Sequence, residues 1–232
     1  ITMLKYFSPI LVLIFISCSG SKPEMLLPEK VSPEIYDILL ENEIVKVMKV
    51  SFAPGQEDNM HDHYPFTAYI LDGGKAQVTM PDGKVNEREF PIGFIAHNGN
   101  GVRHKVKNIS SNDINVILIE HKKLGSTPTF DNKVNLSAHA VSPDIYEIVH
   151  EDELIKVYTA TFPAGSSDNV HEHGMNTAYV ITGGKVEITG SDGSVNERNI
   201  PDGAILYSDK MVSHQVKNIG ETDIKVLLAE YK

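Results

Sequence analysis

The tripeptide His61-Asp62-His63 sets two imidazoles one residue apart, and the arrangement returns as His171-Glu172-His173. On an extended strand, residues i and i+2 share a face, so each pair aims both rings at one place. Two neutral imidazoles are the beginning of a transition-metal site, which needs further ligands. His104 and His214 follow the two pairs at the same distance. A lone histidine is ordinarily a hydrogen-bonded polar group. A pair with a distant third, found twice, is a stronger signal.

The two sets match because the chain is duplicated. Val31-Ser32-Pro33-Glu34-Ile35-Tyr36 recurs as Val141-Ser142-Pro143-Asp144-Ile145-Tyr146, and the offset of 110 continues without a gap to Lys232. Roughly half of the paired positions are identical, against roughly one in fifteen to twenty from ordinary composition. A period of this length is a whole domain, so the sequence predicts tandem domains rather than a solenoid. The expected organisation is copy one over 31–122, a linker over 123–140 and copy two over 141–232. Four histidines are not repeat-matched: His97 faces Tyr207, His121 faces Tyr231, His150 faces Leu40, and His139 lies in the linker.

The elements that must position these side chains read as strands. Residues 44–52 and 154–162 are rich in β-branched and aromatic types with partial alternation. Segments 67–71, 75–79 and 114–120, with their counterparts, follow the same pattern. Pro81-Asp82-Gly83 and Ser191-Asp192-Gly193 mark tight turns into return strands. No segment carries a long 3.6-residue apolar period. Short strands punctuated by Gly and Pro predict an all-β chain with one antiparallel barrel or sandwich per copy.

The spacing around the histidines resembles the two cupin motifs. Gly55, five residues, His61, one residue and His63 open the first. The second is matched by Gly93, Gly101, His104 and Asn108 in copy one, and by Gly203, His214 and Asn218 in copy two. Gly99 and Asp209 stand where proline is usual, and Met211 where the second glycine is usual. The resemblance implies two tandem cupin-type antiparallel jelly-roll barrels, a bicupin. It implies a divalent metal held by His61, His63 and His104, and a second held by His171, His173 and His214. Three imidazoles suit Zn, Fe, Ni, Cu or Mn and leave positions for water or substrate.

The motif's glutamate is missing. Its place falls on Phe66 or Thr67 in copy one and on Asn176 or Thr177 in copy two. Asn176 could offer an amide oxygen as an extra ligand. Losing a carboxylate weakens Mn and Fe more than Zn or Cu. Asp62 and Glu172 point away from the paired histidines on a regular strand and read as solvated charges. Tyr69 and Tyr179 are repeat-matched candidates for a catalytic hydroxyl in the barrel, with core packing as their ordinary role. The identical runs Val85-Asn86-Glu87-Arg88 and Val195-Asn196-Glu197-Arg198 read as structural strand pairs.

A net charge of -10, with no basic run, argues against nucleic acid as a partner. The single cysteine, Cys18, excludes an intrachain disulfide and cysteine-based zinc sites. It follows Lys5 and an apolar run over 10–16, too short to span a bilayer. The segment resembles a bacterial lipoprotein signal, with Phe15 where leucine is usual, which implies lipidation at Cys18. Residues 19–30 then read as a tether on the periplasmic face of a membrane, the lipid being the only membrane contact.

Three functions follow. The first is a metal-dependent enzyme on a small organic molecule, of dioxygenase, isomerase or lyase type. The second is a periplasmic binding protein for a metal or small ligand. The third is a structural barrel pair without metal. In each, the barrels pair within the chain, and a homodimer is a further expectation.

Overall fold

The computed structural model describes residues 24–124 and 134–232. Copy one contains a short helix α1 (Pro28–Val31) and nine strands: β1 (Tyr36–Glu41), β2 (Val45–Phe52), β3 (His61–His63), β4 (Phe66–Asp72), β5 (Gly74–Thr79), β6 (Val85–Phe90), β7 (Ile95–Asn98), β8 (Val102–Asn108) and β9 (Ile114–His121). Copy two repeats them as α2 (Ala138–Val141), β10 (Tyr146–Glu151), β11 (Ile155–Phe162), β12 (His171–His173), β13 (Asn176–Thr182), β14 (Gly184–Gly190), β15 (Val195–Ile200), β16 (Ile205–Ser208), β17 (Val212–Asn218) and β18 (Ile224–Tyr231).

Each copy is an antiparallel jelly roll of two sheets. A five-stranded sheet runs β1-β2-β9-β4-β7, and a four-stranded sheet runs β3-β8-β5-β6. Copy two has the same order, β10-β11-β18-β13-β16 and β12-β17-β14-β15. The chain is thus all-β, with two tandem barrels of the cupin type.

The partial alternation of β2 and β9 has a structural cause: both their faces are buried. Met48, Val50, Phe52, Ala68 and Leu118 point into barrel one. The alternate positions Val45, Val47, Tyr69, Ile117 and Ile119 join Ile155, Val157, Met175, Tyr179, Leu227, Ala229 and Tyr231 in one core between the barrels. The five-stranded sheets therefore pack on each other. Strands covered on both sides need apolar residues at every position, which erases the period of two.

Ordered structure begins before residue 31. Leu26 N–H donates to Asp62 Oδ2 at 2.8 Å, and Lys46 Nζ pairs with Glu29 at 2.6 Å. In copy two, Glu172 Oε2 accepts the Asn135 and Leu136 amides at 2.7 and 3.3 Å. The structural repeat therefore extends into segments that composition assigned to tether and linker. Asp62 and Glu172 do face outward, but they fasten these leading segments rather than stand in solvent. Cys18 and the apolar run before it lie outside the described residues.

Candidate metal centre

The histidines meet because β3 and β8 pair in a defined register. His61 lies opposite His104, Asp62 opposite Arg103, and His63 opposite Val102. In copy two, His171 lies opposite His214. On the inner face the rings of His61, His63 and His104 sit 4.5 to 5.1 Å apart, centre to centre. Those of His171, His173 and His214 sit 4.6 to 5.4 Å apart. In each set, one ring nitrogen per residue lies within 4.8 Å of the other two. On the outer face, Asp62 makes a two-pronged ion pair with Arg103 at 2.7 and 2.5 Å.

The Nδ1 atoms in each pair are committed elsewhere. His61 Nδ1–H donates to the Asn59 carbonyl at 2.7 Å, and His63 Nδ1–H donates to Glu120 Oε1 at 2.7 Å. Both Nε2 atoms then carry lone pairs, yet they face each other at 2.8 Å. Tyr36 Oη lies 3.2 Å from His61 Nε2, but its proton goes to Asp58 Oδ2 at 2.7 Å. Converging lone pairs need a positive charge between them, a metal ion or a proton shared by the rings. Burial and the neighbouring imidazoles hold His63 and His104 down at about 3, so these two rings are neutral. Burial and the adjacent rings likewise lower His171 to about 4 and His214 to about 3. Neutral, pre-oriented imidazoles with facing lone pairs fit a transition metal. Copy two repeats the pattern, with His171 Nδ1 on Asn169 O at 2.9 Å and the two Nε2 atoms 2.9 Å apart.

The acid missing from the motif enters from another strand, in a different role. Phe66 and Asn176 pair in register with Glu120 and Glu230. Both carboxylates hold the Nδ1 side of a histidine instead of pointing at the lone pairs. Burial raises Glu120 to about 7, with Lys46 Nζ 3.8 Å away opposing the rise. In copy two, Tyr158 inserts where copy one has Met48. Its hydroxyl donates to Glu230 Oε2 at 2.9 Å and lies 2.7 Å from His173 Nδ1. Sequence reading passed over these carboxylates, and over Tyr36, Tyr146, Asp58 and Asp168. Their only signal was a polar residue matched in both copies, on a strand for the glutamates and tyrosines and in the loop before the paired histidines for the aspartates.

Tyr69 and Tyr179 are corrected by alternation. They share the outer faces of β4 and β13 with the core between the barrels, so neither lines a barrel cavity. The tyrosines beside the histidines are Tyr36 and Tyr146 instead. Asn176 does line the cavity of barrel two; its Nδ2 donates to Gly174 O at 2.8 Å, which leaves its oxygen as the donor atom. The two cavities differ in size, about 310 Å³ in barrel one and about 640 Å³ in barrel two. Phe66, Met80 and Phe90 become Asn176, Gly190 and Ile200, removing more bulk than Val186 and Ile188 add. Arg88 and Arg198 line the two cavities, and neither has an ion-pair partner among the described residues.

The fold and paired histidine sets define a two-barrel protein of cupin architecture. A Bacillus subtilis oxalate decarboxylase variant is similar over 91% of this chain and 78% of its own, with a TM-score of 0.58 and 15% identity. AerE from Microcystis aeruginosa matches 85% of this chain and 97% of its own, with a TM-score of 0.56 and 14% identity. A cupin 2 conserved barrel domain protein from Leptotrichia buccalis matches 85% of this chain and 88% of its own, with a TM-score of 0.52 and 14% identity. These likenesses establish the fold. No protein-family profile matches the sequence, and no curated protein does.

Proposed function

We propose that this chain is an exported, lipid-anchored bicupin that binds a divalent metal in each barrel and acts on a small organic anion. The observation that carries the metal is the facing of two lone-pair nitrogens at 2.8 Å in copy one and 2.9 Å in copy two. His61, His63 and His104 would hold one ion, and His171, His173 and His214 the other, with Asn176 on the wall of the same cavity as a further oxygen donor. The donor set, rich in imidazole and without a carboxylate ligand, favours Zn, Ni or Cu over Mn. Such an ion supplies Lewis-acid polarisation of a bound oxygen or activation of water.

The chain's own residues do the rest. Glu120 and Glu230 fix ring orientation, and Tyr36 and Tyr146 close one side of each site. The unpaired arginines at the cavity linings favour a carboxylate or similar anion. The oxalate decarboxylase among the fold neighbours is in keeping with an anionic substrate, and a lyase-type reaction leads the enzymatic reading. Barrel two, with the larger cavity, is the roomier site. Lipidation at Cys18 would hold the protein on a membrane, and among the described residues no helix is long and apolar enough to cross one.

A non-catalytic binding protein is the second reading. It is favoured by the engagement of the acids beside the histidines: Asp58 and Asp168 accept from Tyr36 and Tyr146, and Glu120 and Glu230 hold His63 and His173. Metal analysis of the chain from Ser19 onward, with turnover assays on small carboxylates, separates the two. Two equivalents of metal held by the barrels, lost together with turnover in a His61→Ala, His171→Ala variant, are expected. Full turnover in that variant overturns the enzymatic reading, and metal with saturable binding but no product selects the second.

A further inference from the structure

Three histidine or carboxylate side chains outside the barrel sites meet at the junction of the two copies: His97 from β7, His150 from β10 and Asp152 just after it. Their ligand atoms lie within 4.8 Å of one another. We propose that they form a third metal site, which takes a zinc-class divalent ion and clamps barrel one to barrel two.

The positions are those where the copies diverge. His97 replaces the tyrosine found as Tyr207, His150 replaces Leu40, and Asp152 replaces Asn42. At the pseudo-equivalent place, Leu40 and Tyr207 pack against the apolar core and Asn42 carries no charge. All three changes toward metal-ligating types therefore converge on one spot, while the matching spot has none.

Local geometry prepares the donors. A bulge between Ile148 and His150 shifts the register of β10, so His150 pairs with Val157 and turns toward the junction, away from the barrel interior. Asp152 Oδ1 accepts the Leu154 and Ile155 amides at 2.8 and 3.0 Å, which locks the carboxylate with Oδ2 3.1 Å from His150 Nε2. The His97 and His150 rings stack at 4.3 Å. His97 Nδ1 lies 3.1 Å from Thr67 Oγ1, which lies 3.0 Å from His121 Nε2, and His121 Nδ1 is 2.9 Å from Tyr231 Oη. His97 Nε2 is buried and has no hydrogen-bond partner among the described residues. An orphaned buried nitrogen asks for a partner. Two imidazoles and one carboxylate are donors that zinc-class ions accept. The cleft they line, about 570 Å³, is open, and the His150 and Asp152 side chains are 35% and 39% exposed, so an ion can enter.

The test titrates the full chain with Zn²⁺ and with Ni²⁺ and counts bound equivalents after dialysis. His97→Tyr and His150→Leu install the residues that the other copy carries at these places. Asp152→Asn keeps the amide-accepting oxygen, as Asn42 does, and removes only the charge. His97→Tyr, His150→Leu and their combination are each expected to bind one equivalent fewer than wild type. Asp152→Asn is expected to bind that equivalent at least tenfold more weakly with an unchanged metal-free thermal midpoint. The His61→Ala, His171→Ala variant should keep this equivalent while losing those of the barrels, so failure of either assignment is visible without the other. Equal stoichiometry in wild type and both single variants, or loss in one alone, overturns the proposal.

Discussion

Glu120 carries more of the barrel-one site than its distance in sequence suggests. It donates nothing to the lone-pair side of the histidines. It fixes the His63 tautomer through the 2.7 Å bond to Nδ1. Glu120→Gln keeps the shape but replaces the carboxyl group with an amide that cannot ionise. Outer carboxylates of this kind typically change metal affinity about 10–100-fold. A competitive chelator titration of barrel one should show a loss in that range. Tyr158→Phe in barrel two should cost less, because Glu230 still reaches His173 at 3.1 Å. An equal loss in both would mean that the tyrosine, not the carboxylate, orients the ring.

At the scale of elements, the β3–β8 pair is what turns two distant motifs into one site. Gly101 opens β8 with φ at +69°, a region that side chains rarely adopt. A Cβ there would press on the His63 carbonyl. Copy two has Met211 at this place, and no residue other than glycine has positive φ among the described residues, so its turn is built differently. Gly101→Ala should destabilise by about 1–3 kcal/mol through backbone strain, read as a lower denaturant midpoint. Metal binding should weaken in barrel one only. Unchanged barrel-one affinity would show that the strand pair tolerates the shift.

The whole molecule rests on the core shared by the two five-stranded sheets. Leu227 is fully buried there. Leu227→Ala should cost about 2–5 kcal/mol, and one cooperative transition, monitored by signals from both barrels, should move as a unit. Separate transitions would mean that the barrels are energetically independent. Acid should act on the same junction. Burial, and then His97 nearby, lower His121 to about 3, against an ordinary value of 6.5. Between those values the unfolded chain binds a proton that the native chain refuses. The stabilisation is therefore fully present above pH 6.5 and lost as pH falls toward 3. Chelator-treated protein should have a lower urea midpoint at pH 5 than at pH 8. His121→Gln, which cannot titrate, should show a smaller difference.

The sequence by itself determined the duplication, the all-β class and the six repeat-matched histidines. These signals are local or self-referential: side-chain period, turn chemistry, and one half read against the other. It did not reveal Glu120 or Glu230, because each meets its histidine across 57 positions through the register of β4 on β9 and β13 on β18. Nor did it separate Tyr69 from Tyr36. Both are apolar-strand tyrosines, and only the packing of barrel on barrel decides which face of β4 looks inward. The unmatched histidines His97 and His150 looked like noise in the repeat. The tertiary structure gave them a common place, because two copies facing each other create a junction that neither copy encodes alone.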